Sequence, residues 1–155
     1  MKSVEEKLKE LGLQLSEAPK PVAAYIPAKR IGDLVFISGQ LPFRNGQLMY
    51  LGKVGAERTQ QEAYQAAELC MLNALAIAKS LVGSLEKIEE IVQVRGFVNC
   101  TPDFANQPEV INGASELLVK LLGEKGRHAR AAVGVSSLPR NATVEIEMIV
   151  RVKDE

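Results

Sequence analysis

Apolar positions along the chain change period several times, and each change marks an element. Val4, Leu8, Leu11 and Leu15 recur at roughly helical spacing, which predicts a short amphipathic helix frayed by Gly12, within an N-terminal extension of about residues 1–18. Residues 22–27 and 34–37 read as two strands of a hairpin, turned at Gly32-Asp33, the second being the stronger. Asn45-Gly46 is a favoured two-residue hairpin turn, and Gly52 and Gly55 suit a loop with unusual backbone angles.

Thr59 followed by Glu62 is a capping box that opens a long helix. Its apolar residues Ala63, Ala66, Ala67, Cys70, Leu72, Leu75, Ala78 and Leu81 run to a stop at Gly83. The stretch EEIVQVRGFVNC alternates with period two, placing Ile91, Gln93, Arg95, Phe97 and Asn99 on one face and Val92, Val94, Gly96 and Val98 on the other, as in a central strand. A second helix is predicted from about residue 104 or 107 to 122, with Val110, Ala114, Leu117, Leu118 and Leu121 inward and a stop at Gly123. GRHARAAVGVSSLPRNATVEIEMIV then reads as two strands joined by a Ser-Ser-Leu-Pro turn. The order α, β-β-β, α, β, α, β-β predicts helices on one face of a mixed sheet, in a single α+β domain over residues 1–155.

Composition narrows the class. With 155 residues, 46% of them hydrophobic, the chain can bury one ordinary core, and neither a disordered nor a collagen-like chain fits. Lys plus Arg equals Asp plus Glu at 19 each, so no global positive field draws it to nucleic acid or an anionic membrane, and any partner is recognised locally. Cys70 and Cys100 lack a metal-ligand spacing, and a reducing cytoplasm suits them. The charged N-terminus is unlike a signal peptide, and the chain reads as having no apolar run of about 18 residues, which predicts a protein that does not span a membrane.

Phosphate loops, metal-ligand clusters and Gly-x-Ser-x-Gly elbows are missing from the sequence. His128, the single histidine, has no evident orienting partner and reads as a surface or strand-edge residue. Charges inside strands are the better signal: Arg95, Arg130, Glu145, Glu147 and Arg151. They fit the solvent face of an antiparallel sheet, yet an Arg at a strand end also offers a planar fork to a carboxylate and a nearby Glu can take a proton from water. Charge patterning leaves both readings open.

Three segments, DLVFISGQLP (33–42), VQVRGFVNCTPDF (92–104) and HARAAVGVSSLPRNATVEIEMIV (128–150), together resemble the reactive-intermediate (enamine/imine) deaminase family, also called RidA/YjgF. The likeness spans residues 20–153, and the N-terminal extension with the FRNGQLMYLGKVG insert resembles the longer branch of that family. It implies a chorismate-mutase-like α+β fold in a homotrimer with three intersubunit clefts, hydrolysing 2-imino acids and their enamine tautomers to 2-oxo acids and ammonia without a metal or organic cofactor.

Residue by residue, the resemblance makes Arg130 the anchor for the substrate carboxylate and Glu145 the residue that positions water and relays its proton. Tyr25 would close the pocket or hydrogen-bond the substrate, Ser38 and Gly39 match the family's Ser-Gly-Gln turn, and Asn112 matches an asparagine near the neighbouring cleft. Ala132 stands where some members have cysteine, which removes thiol chemistry but leaves a backbone carbonyl to bind water; His128 replaces a proline, and the loop around Gly52, Lys53 and Gly55 reshapes the pocket. The alternatives are a non-catalytic small-carboxylate-binding trimer, an endoribonuclease or translation inhibitor, and, on fold analogy alone, a chorismate mutase. Trimerisation is expected if helices leave uncovered a sheet face carrying Val133, Val135, Val144 and Ile146.

Overall fold

The computed structural model describes residues 1–18 and 24–153. Helix α1 (Val4–Glu10) opens with a capping box formed by Ser3 and Glu6. It ends earlier than the apolar spacing predicts, because Gly12 turns the backbone at φ 72°; Val4 and Leu8 are buried, whereas Leu11 is 43% exposed. The helix is held in place at both ends: the Val4 amide donates to Glu86 Oε1 at 2.6 Å and Lys7 Nζ to the Leu121 carbonyl at 3.3 Å.

A five-stranded sheet follows, in the order β1 (Ala28–Ile31), β2 (Leu34–Gln40), β7 (Val144–Val152), β5 (Ile88–Asn99) and β6 (Ala129–Val135). The hairpin turned at Gly32-Asp33 is present, but its first arm is β1 (Ala28–Ile31), not residues 22–27. Residues 24–27 form no strand, and 22–23 lie outside the described residues. Its second arm is β2 (Leu34–Gln40). A separate two-residue-armed hairpin, β3 (Phe43–Arg44) and β4 (Gln47–Leu48), turns at Asn45-Gly46 with φ 52° and 78°, the positive pair such a tight turn demands.

Helix α2 (Gln60–Val82) has the Thr59–Glu62 capping box and the Gly83 stop at φ 93° that the sequence predicts. It is long and apolar enough to cross a membrane, contrary to the sequence expectation, yet most of it is buried inside this fold. Its alanines let it lie close to the sheet and to α3 (Gln107–Leu122); Leu81, counted as core by its spacing, is 44% exposed. Both helices cover one face of the sheet, as expected for the α+β class.

Strand β5 (Ile88–Asn99) departs from strict alternation. Bulges between Ile88 and Glu90 and between Ile91 and Gln93 shift its phase, so Ile88, Ile91, Val94 and Val98 are all buried beneath the helices. Ile91 therefore faces opposite to the side that period two assigns it. The last two strands are not hairpin partners either. The edge strand β6 (Ala129–Val135) runs parallel to β5, β7 (Val144–Val152) runs antiparallel on its other side, and the Ser-Ser-Leu-Pro segment crosses the end of β5. Asn99, fully buried there, donates to the Ala142 carbonyl at 3.0 Å, and Thr143 Oγ1 donates to the Gly52 carbonyl at 2.9 Å, so the Gly52–Gly55 loop docks just before Glu145.

This arrangement corrects the expected open face. Val144 and Ile146 are fully buried under the helices. The uncovered face instead carries Phe36, Phe97, Glu145, Glu147 and Ile149, which share registered rows on β2, β7 and β5. Val133 on β6 is 45% exposed.

Candidate functional site

Glu145 sits on the open face opposite Phe97. Beside it, the register of β2 against β7 slips between Ile37 and Gln40, and this irregularity brings Gly39 directly under the Glu145 carboxylate. Ser38 fastens the preceding segment: its Oγ donates to the Ile26 carbonyl at 2.8 Å and its amide to the Pro27 carbonyl at 2.8 Å. Tyr25, 64% exposed, is thereby carried alongside, at a shallow cleft of about 560 Å³ that Phe36, Arg95 and Glu147 also line. Burial pushes the Glu145 carboxyl above the ordinary carboxylate range, and the neighbouring Glu147 charge adds to the shift. Glu147 itself is paired with Arg95 at 2.6 Å.

Arg130 belongs to a different surface. It lies in register with Val94, whose side chain is buried under the helices, and so points to the helix side at the sheet edge. There its Nη1 donates to Asn112 Oδ1 at 2.8 Å and to Ser115 Oγ at 3.1 Å, both from α3. Among the described residues it has no carboxylate partner. Ala132, two residues on, is partly buried against the core opposite Gly96.

His128 does not stand alone at the surface. Its Nδ1 is 2.6 Å from the Gly126 carbonyl and its Nε2 is 2.8 Å from Ser115 Oγ. A carbonyl only accepts, so this bonding assigns the proton to Nδ1 and makes Nε2 the acceptor of the Ser115 hydroxyl. Burial lowers the pKa of His128, the Gly126 bond opposes that shift and the Arg130 charge adds to it. Ser115 was missed by sequence reading. Its spacing of three from Asn112 puts both on one helical face, which was the available signal.

The chain thus brings Gly39 to Glu145 and places Tyr25 and Ser38 in a cleft that Glu147, not Glu145, lines; separately it gathers Asn112, Ser115, His128 and Arg130. It does not bring Arg130 to Glu145. They flank β5 on opposite sides, three residues out of step and on opposite faces of the sheet, which places their α-carbons on the order of 14 Å apart from strand geometry. The two groups of residues face away from one another. Among the described residues no group of three His, Cys, Asp or Glu side chains is gathered to hold a metal ion.

The family model described as "YjgF/chorismate mutase-like, putative endoribonuclease" matches residues 5–151. Protein TCP17 of Trypanosoma cruzi is 36% identical over 148 residues, 95% of this chain and 92% of that protein. A 2-iminobutanoate/2-iminopropanoate deaminase of Dermatophagoides farinae is 31% identical over 133 residues, 86% of this chain and 89% of its own. The crystal structure of a protein of unknown function from Agrobacterium tumefaciens superposes with a TM-score of 0.92 at 48% identity, covering 97% of this chain and 92% of that one. With sheet order, helix placement and sequence match in agreement over nearly its whole length, the chain belongs to the YjgF/RidA family and has its chorismate-mutase-like fold.

Proposed function

We propose that the protein is a cytoplasmic homotrimeric hydrolase that converts reactive 2-imino acids and their enamine tautomers, such as 2-aminoacrylate, to 2-oxo acids and ammonia. Arg130 is the observation that carries this reading. Asn112 and Ser115 hold one of its nitrogens, while its remaining edge is without a carboxylate partner among the described residues. A ligand carboxylate fits that edge through two parallel charge-assisted bonds.

The separation of the half-sites supports assembly as part of the function. The Arg130 half of one subunit would meet the Glu145 half of its neighbour, while the uncovered face, with Phe36 at 40% exposure, would be closed by the same contact. In that cleft a water adds to C2 of the imine, its oxygen forming the new bond as the C=N electron pair moves to nitrogen. Glu145 takes the proton from water and returns it to nitrogen; the carbinolamine then loses ammonia as its hydroxyl becomes the carbonyl. For an enamine, a proton must first be added at C3, and a carboxyl with raised pKa is suited to donate it.

The test couples the purified protein to a pyridoxal-phosphate dehydratase and follows imine disappearance. Acceleration by the parent protein but not by Arg130→Ala supports the reading; equal rates with and without protein sink it. Binding of a 2-oxo acid with no turnover would reduce the protein to a carboxylate-binding trimer.

A further inference from the structure

The Arg130 half-site contains a hydrogen-bond chain of single polarity. Arg130 Nη1 donates to Ser115 Oγ (3.1 Å), the Ser115 hydroxyl donates to His128 Nε2 (2.8 Å), and His128 Nδ1 donates to the Gly126 carbonyl (2.6 Å). Each group has one role forced on it. The backbone carbonyl fixes the tautomer of His128; that tautomer leaves Nε2 as an acceptor; the Ser115 proton, drawn to Nε2, leaves an oxygen lone pair facing the guanidinium. Asn112 Oδ1 takes the second proton of the same nitrogen.

We infer that Ser115 and His128 are positioning residues for Arg130, which lock the guanidinium so that its Nε and Nη2 edge is presented to the substrate carboxylate. The inference rests on the proposed reading of Arg130 as carboxylate anchor. An exposed arginine side chain carries much rotamer freedom. Two acceptors on one nitrogen remove that freedom before the ligand arrives, so the cost of ordering the side chain is not charged against binding.

His128 fits the task because it is held neutral. From α3 it faces Ser115, from the turn at residues 123–126 it faces the Gly126 carbonyl, and from the strand that follows it, β6, it faces the Arg130 charge. A protonated ring would donate at Nε2 and compete with the guanidinium for the Ser115 oxygen. The chain also accounts for Ser115 sitting in mid-helix, where its hydroxyl serves a tertiary contact instead of the preceding helical turn.

The experiment measures binding of 2-oxobutanoate by calorimetry, alongside imine turnover, for the parent protein, Ser115→Ala, Ser115→Thr, His128→Phe and His128→Ala. Loss of one bond to a charged group predicts a rise in Kd and KM on the order of tenfold for Ser115→Ala and the His128 variants, with kcat within about twofold. Ser115→Thr, which keeps the hydroxyl, should bind close to the parent value. His128→Ala serves if the bulkier Phe fails to fold. Parent-like Kd and KM in both Ser115→Ala and His128→Ala would overturn the inference while leaving the deaminase reading intact. Weakened binding in those variants, with no turnover by any form, would uphold the positioning role and overturn the deaminase reading. Neither binding nor turnover by the parent protein would overturn both.

Discussion

The Glu145 carboxylate fills the space that a side chain at Gly39 would occupy: a β-carbon built there overlaps Oε2. What it meets is the far end of a flexible side chain, so Gly39→Ala should displace the carboxylate without disturbing the fold. A displacement of about 1 Å at a catalytic group costs on the order of a hundredfold in rate. The expected result is that loss in the coupled assay with thermal unfolding nearly unchanged. A full rate would mean that Glu145 does not act from this position.

Gly113 is the opposite case. A β-carbon there overlaps the Tyr64 backbone carbonyl, which cannot swing aside, at the close crossing of α2 and α3. Gly113→Ala should lower stability by roughly 2–3 kcal/mol through forced separation of the helices, despite the better helix propensity of alanine. Urea denaturation checks this, and a stability at or above the parent value would contradict the packing.

Two half-buried groups should tilt stability with pH in opposite directions. The folded pKa of Glu145 is raised from 4.5, so its contribution is present below that value and is lost as pH rises through the folded one. Glu145→Gln should therefore gain in Tm relative to the parent as pH goes from about 4 to 7. The pKa of His128 is lowered from 6.5, so its contribution is present above that value and is lost as pH falls through the folded one. His128→Gln should blunt the acid-side fall in Tm. Parallel Tm curves for parent and variant would contradict either assignment.

If each working site takes Arg130 from one subunit and Glu145 from the next, two dead variants can repair each other. Arg130→Ala and Glu145→Ala, unfolded together in equal amounts and refolded, should recover about a quarter of the parent rate, the fraction of clefts that receive both intact residues. Absence of recovery in verified mixed trimers would place both groups in one subunit's site.

Local signals read well where one residue sets one structure. The Thr59–Glu62 capping box, the Gly83 stop and the Asn45-Gly46 turn appear as predicted because each acts over a few residues. Errors arose where distant parts decide. Ile91 was put on the wrong face because bulges in β5 depend on pairing with β7. The strands holding Arg130 and Glu145 looked like a hairpin because β5, which separates them, lies some thirty residues earlier in the sequence. His128 looked unsupported because Ser115 reaches it from the preceding helix, 13 residues away. The resemblance named Arg130 and Glu145, but only the register revealed that they face away from one another.

The bulges in β5 also determine where the chain can change length. Each one holds a spare residue, so deletion of Val92 would convert the stretch into regular alternation and leave Gly96 and Val98 inward and Arg95 and Phe97 outward. The same deletion a few residues later would exchange the two faces of everything beyond it, driving Phe97 toward the helices and Val98 onto the uncovered face. β5 therefore has a tolerant end, near α1, and an intolerant end, beside Glu145, and gaps among relatives should collect at the first.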